Sequence, residues 1–136
     1  MTLEANKSIV RQYLEAWGKG DTKTLEAMLH PEAITHVSAA GVEQSATFEP
    51  YACATWFVGF PDTVLEIEKL VAEGDSVTAY WVITATHTAD FMGMPPTGKR
   101  VKFGGLEINR IADGKIIEIW RLSDTFGLMQ QLEAED

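Results

Sequence analysis

From Val64 to Ser123 the chain gives up helical spacing for a period of two. It does so in four successive runs, Val64–Ala72, Ser76–Thr88, Lys99–Ala112 and Lys115–Ser123, with no helical segment between any two of them. Parallel neighbours need crossover connections of a dozen or more residues, so strands that follow one another this closely predict an antiparallel meander. Glu73-Gly74-Asp75 marks the first turn and Asp113-Gly114, the strongest short hairpin signal, marks the last. A loop over Asp90–Gly98, punctuated by Gly93, Pro95, Pro96 and Gly98, separates the middle pair. The second run has sharply divided faces. Val77, Ala79, Trp81, Ile83 and Ala85 form an apolar row that continues to His87 and so points that histidine at the core, while Thr78, Thr84, Thr86 and Thr88 lie opposite.

The first sixty residues read differently. Ile9, Val10, Tyr13, Leu14 and Trp17 recur at helical spacing before Gly18-Lys19-Gly20, which predicts a helix over 4–18. Asp21 is placed to N-cap a short second helix carrying Leu25, Met28 and Leu29, which must stop near His30 because Pro31 follows. Ala33–Val37 reads as a short strand. Pro50 suits the first turn of a third helix bearing Tyr51, Trp56 and Phe57, stopped by Gly59 and Pro61. A short helix over Phe126–Leu132 closes the chain. Helices first and strands after is the α+β order, here in a single domain over 1–136 with helices on one face of a curved sheet.

Charge and composition narrow the functions. Twenty acidic against eleven basic residues give a net charge of −9, the wrong sign for nucleic acid or an anionic membrane surface. Cys53 is the only cysteine, so neither an intrachain disulfide nor a thiolate metal site can form. The three histidines show no ligand spacing, and no phosphate-binding glycine loop occurs, so no metal or cofactor is expected. A polar, acidic beginning and the lack of long apolar runs predict a soluble, cytoplasmic protein.

If Asp113-Gly114 is a two-residue turn, Ala112 faces Lys115. Undisturbed pairing then sets Glu107 opposite Trp120, Gly105 opposite Leu122 and Phe103 opposite Asp124, all on one face. A carboxyl at the end of such an apolar strand is partly desolvated and usable as a general acid or base. Asp124 has a structural alternative, since it directly precedes the last helix and can cap it. His87 can equally be a hydrogen-bonded strand-end residue, nothing nearby orients His36, and Glu107 can pair with a cation across the sheet. Trp17, Trp56, Trp81 and Trp120 are core by default, with Trp56 and Trp120 open to a second role at a pocket. The opposite face, with Leu106, Ile108, Ile117 and Ile119, is apolar too, and the helices are too few to cover both faces. A homodimer formed through the sheet follows.

Four segments, VRQYLEAWGKGD, FPDT, THTADFMGMPPTGKRV and DGKIIEIWRLSDTFGLMQQL, together resemble the SnoaL-like ester cyclases, a polyketide-cyclase branch of the nuclear transport factor two-like superfamily. The resemblance implies a cone of helices against a strongly bent antiparallel sheet, enclosing a deep apolar pocket. It also implies intramolecular aldol ring closure of an apolar carbonyl compound, without metal or cofactor. Asp124 in WRLSD matches the family's acid and base, and His87 the histidine of its THTG-like segment, here THTAD with Ala89 for glycine; Leu122 and Ser123 stand where the characterised cyclases carry a histidine. Trp120 and Trp56 would flank a flat substrate, with Phe103, Glu107, Tyr13, His36 and Phe91 around it and the Asp90–Gly98 loop at the mouth. A steroid-isomerase-like proton transfer, which Tyr13 and Glu107 would loosely imitate, and a non-catalytic binding or dimerisation module of the same fold are the alternatives.

Overall fold

A computed structural model describes residues 2–37 and 40–135. Helix α1 (Leu3–Trp17) starts where the Thr2 hydroxyl accepts the Ala5 amide, and it buries Val10, Tyr13 and Leu14, the stripe that its spacing marks. Asp21 caps α2 (Thr22–Met28) by accepting from the Thr24 amide and hydroxyl. Strand β1 (Leu29–His36) begins earlier than the sequence suggests and runs through Pro31, and the two-residue β2 (Glu43–Gln44) pairs with its end. Helix α3 (Phe48–Gly59) carries Pro50 in its first turn and stops at Gly59. The meander follows as β3 (Val64–Glu73), β4 (Ser76–Thr86), β5 (Arg100–Ala112) and β6 (Lys115–Ser123), and α4 (Thr125–Glu133) closes the chain.

The six strands form one sheet in the order β2-β1-β6-β5-β4-β3. It is mixed rather than wholly antiparallel, because β1 runs parallel to β6. Everything from β2 to β5 intervenes between these two strands, which supplies the long connection that a parallel pair requires. The inward row of β4 is the predicted one, with Val77, Ala79, Trp81, Ile83 and Ala85 all buried and His87 buried just beyond the strand. Asp113 and Gly114 both take positive φ, 55° and 73°, as the tight Asp-Gly turn demands.

Beyond that turn the simple register fails. Ala112 pairs with Lys115 and Ile111 with Ile116, but Arg110 then pairs with Glu118, so Ile117 is an extra residue bulged from β6. Every later residue of β6 therefore sits on the face opposite to the one undisturbed pairing assigns. Glu107 lies across from Arg121 rather than Trp120, Ile108 from Trp120, and Gly105 from Ser123 rather than Leu122. Ile119 is consequently a core residue and Ile117 is half-buried, which removes both from the exposed row expected to face a partner. The exposed row comprises Leu106, Ile108, Trp120 and Leu122 with Tyr80 of β4 and Ile34 of β1.

Candidate active site

Between the helices and the inward face of the sheet lies a cavity of about 580 Å³. Its wall is largely apolar: Leu14 and Trp17 come from α1, Trp56 from α3, and Trp81 and Phe103 from the sheet. Trp56 stacks on Phe60 at 3.9 Å between ring centroids and tilts against Phe103 at 5.4 Å, so these rings brace one another. Phe91, Met92 and Met94 bring the Asp90–Gly98 loop to the wall, and Phe91 packs so closely on Gly59 that a Cβ there would meet it at 2.8 Å. Gly59 thus ends α3 and seats this loop as well.

The polar groups of the wall collect where β5 and β6 face each other. Glu107, only 1% exposed, accepts hydrogen bonds on Oε1 from the Trp81 indole and from Arg121 Nε, both at 3.0 Å. The end of the Arg121 guanidinium grips Glu49 of α3 with two bonds, Nη1 to Oε2 at 2.9 Å and Nη2 to Oε1 at 2.6 Å. Tyr13 completes the row by donating its hydroxyl to Glu49 at 2.8 Å. Two helices, α1 and α3, and three strands, β4, β5 and β6, are tied together at one point. Glu107 Oε2 has no hydrogen-bond partner in the protein.

The buried charges set one another's acidity. Burial alone pushes the Glu49 carboxyl up, but the Arg121 charge and the hydrogen bonds from Arg121 and Tyr13 outweigh it and hold Glu49 below its ordinary 4.5. Arg121 is pushed well above its usual value: burial opposes its charge, and the two carboxylates more than offset that. Burial, and then the Glu49 charge, raise the Tyr13 phenol, so it stays a hydrogen-bond donor.

Of the residues singled out in the sequence, Trp56, Phe103, Glu107 and Phe91 meet at this cavity. Tyr13 lies behind it, against Glu49. Trp120 and His36 sit together on the outer face, ring on ring at 5.2 Å, with His36 Nε2 2.7 Å from Glu118. The bulge puts Trp120 there, and His36 is its neighbour in the parallel β1–β6 pairing. His87 is buried beside the cavity, stacked on Phe60, and its Nδ1 accepts the Thr97 amide, which leaves Nε2 as the protonated nitrogen. Asp124 is exposed and caps α4, its Oδ1 accepting the Gly127 amide at 2.9 Å. The pairing of Phe103 with Asp124 on one inward face is therefore not formed. Arg121 in the cavity wall, and Glu49 paired with it behind the wall, are the unforeseen groups. Only the expectation that Glu107 pairs with a cation across the sheet pointed toward them.

The family model of SnoaL-like polyketide cyclases matches residues 7–132. The chain belongs to this family. Among its relatives are the nogalonic acid methyl ester cyclase of Streptomyces nogalater, 29% identical over 125 residues that cover 88% of this chain and 90% of that one, and the aklanonic acid methyl ester cyclase DauD of Streptomyces sp. strain C5, 30% identical over 91% of this chain and 79% of that one. Among solved structures, AclR of Streptomyces galilaeus, a candidate hydroxylase, superposes with a TM-score of 0.89 at 28% identity over 99% of this chain and 85% of that one. The α+β fold expected of the family is the one this chain adopts. Among the described residues no helix is long and apolar enough to cross a membrane, and no three potential ligand side chains converge on a metal position.

Proposed function

We propose that this family member is a cofactor-independent ester cyclase that closes a ring in an aromatic polyketide ester by acid/base chemistry inside the cavity. The observation that carries the reading is the composition of the wall: an apolar chamber of about 580 Å³ braced by aromatic rings, with its ionisable groups gathered at one end. Apolar walls hold a flat polycyclic carbonyl compound by area alone, and one buried polar cluster orients it. A carbon flanked by two carbonyls is acidic enough that the substrate itself delocalises the charge of deprotonation, so a side chain suffices to move the proton.

The cluster also bears on which form of substrate fits. Two carboxyls, Glu49 and Glu107, face one guanidinium, Arg121, so no cation is left over to bind a free carboxylate. A carboxyl masked as a methyl ester avoids that conflict, and the two relatives act on compounds named as methyl esters. Incubation with aklanonic or nogalonic acid methyl ester, and with each free acid, tests this. The expected result is an isomer of unchanged mass and new retention time, formed equally well with a chelator present, with the ester favoured over the acid by roughly tenfold or more, on the order of 1.4 kcal/mol. Recovery of bound but unaltered ester would instead make the chain a binding module.

The same proposal includes a homodimer formed through the outer face of the sheet. Tyr80, Leu106, Ile108, Trp120 and Leu122 are all exposed there, and Arg110, Glu118 and His36 set both signs of charge beside them, a surface that can complement itself about a two-fold axis. A cytoplasmic setting, in keeping with one buried and unpaired thiol, Cys53, belongs to the reading as well.

A further inference from the structure

We infer that Glu107, and not Asp124, is the carboxyl that moves the proton, with Arg121 as its positioning residue. The inference rests on the cyclase reading above and assigns the base within it. Glu107 is buried in the cavity wall with its two oxygens in opposite situations. Oε1 is held by Trp81 and Arg121, which fixes the carboxyl plane, while Oε2 meets no donor from the protein. A buried acceptor without a partner, on a residue that lines a substrate-sized chamber, is matched by a hydrogen carried in by the substrate. Arg121 is itself locked by the two bonds to Glu49, so the carboxyl is presented on strands rather than on a mobile loop.

Asp124 is placed otherwise. It lies outside the cavity wall, its Oδ1 is committed to the Gly127 amide, and it would have to uncap α4 to reach a ligand.

The step balances without a co-reactant. Glu107 Oε2 takes the proton from the carbon between two carbonyls of the substrate, and the C–H electron pair becomes an enolate. The enolate carbon forms a C–C bond with a ketone carbon of the same molecule, and that carbonyl's π pair moves to its oxygen. The alkoxide then recovers the proton from Glu107, so the product is an isomer of the substrate and the enzyme is unchanged.

The test compares Glu107→Gln, Glu107→Asp and Asp124→Asn with the wild type, reading kcat and KM for the methyl ester and, in heavy water, exchange of the acidic C–H by NMR. Glu107→Gln is expected to lose about a hundredfold or more in both kcat and exchange with KM within about threefold, as loss of a proton-transfer group rather than of a binding contact requires. Asp124→Asn, which still caps the helix, is expected to stay within about threefold of the wild type. Should Glu107→Gln not fold, Glu107→Asp keeps the carboxyl but withdraws it by a methylene, and is expected to bind the ester with kcat down about tenfold or more. Full activity in a folded Glu107→Gln or Glu107→Asp, or loss confined to Asp124→Asn, overturns the assignment and leaves the cyclase standing. A wild type that binds the ester yet neither closes the ring nor exchanges the proton overturns the cyclase reading, and the assignment with it.

Discussion

Glu49 shows how much one side chain can hold together. It is buried on α3, accepts from Tyr13 on α1 and pairs with Arg121 on β6, so its charge is a structural part held in place by two partners. Because its carboxyl is held below 4.5 in the folded chain and returns to about that value when unfolded, the unfolded state binds more protons as the medium is acidified. The stability it contributes is therefore complete above about pH 5 to 6 and is lost as the pH falls through 4.5 toward the folded value. Urea midpoints between pH 7 and pH 3 should fall in the wild type and fall less in Glu49→Gln. The variant should start lower, by roughly 3 kcal/mol, since Arg121 would keep its charge with one partner gone. A parallel fall in both proteins would mean that the pair is not ionised as described. The sequence let half of this cluster be read: Glu107 falls on the inward row of a long strand, and a buried carboxylate needs a cation. It could not show that the cation is Arg121, because alternation counted from the turn puts that residue on the outside.

At the scale of the element, the difference comes down to the bulge at Ile117. The limits of the four meander strands, the Asp21 and Asp124 caps and the Asp-Gly turn follow from local chemistry and are found at or close to where the residues put them, whereas β1 starts at Leu29 rather than Ala33. A bulge leaves no such mark: KIIEIWRLS alternates acceptably in either register. The choice is made by tertiary packing, which buries Ile116 and Ile119 together and turns Arg121 inward to Glu49. Strand β5 shows the complementary device. Gly105 carries no side chain because the Trp81 ring occupies the space beside it, and an added Cβ would overlap the indole. Gly105→Ala should therefore displace Trp81, break its bond to Glu107 and cost about 1–3 kcal/mol. Thermal melting and the Trp fluorescence of the variant check this. An unchanged melting point with unchanged emission would show that the ring has room to move.

For the whole molecule, the two faces of the sheet have unlike fates. The inner face is closed by α1, α3 and α4 around the cavity, whereas the outer face keeps Tyr80, Ile108 and Trp120 exposed in a chain of only 136 residues. Placing Trp120 outside rather than in the pocket enlarges that apolar surface and strengthens the case for a second copy, even as it removes Ile119 from the interface first expected. Charge argues the same way at short range: Arg110, Glu118 and His36 are paired within the face, so two copies can meet there without opposing the −9 of the whole chain head-on. Sedimentation at micromolar concentration should give about twice the mass of one 15.0 kDa chain. Ile108→Glu, which sets a charge opposite Trp120 in each copy, should yield a folded monomer that still binds the ester, since the cavity lies on the other side of the sheet. A wild type that sediments as a soluble monomer would mean that this face stays open to water. A variant that dimerises unchanged would move the interface elsewhere on the molecule.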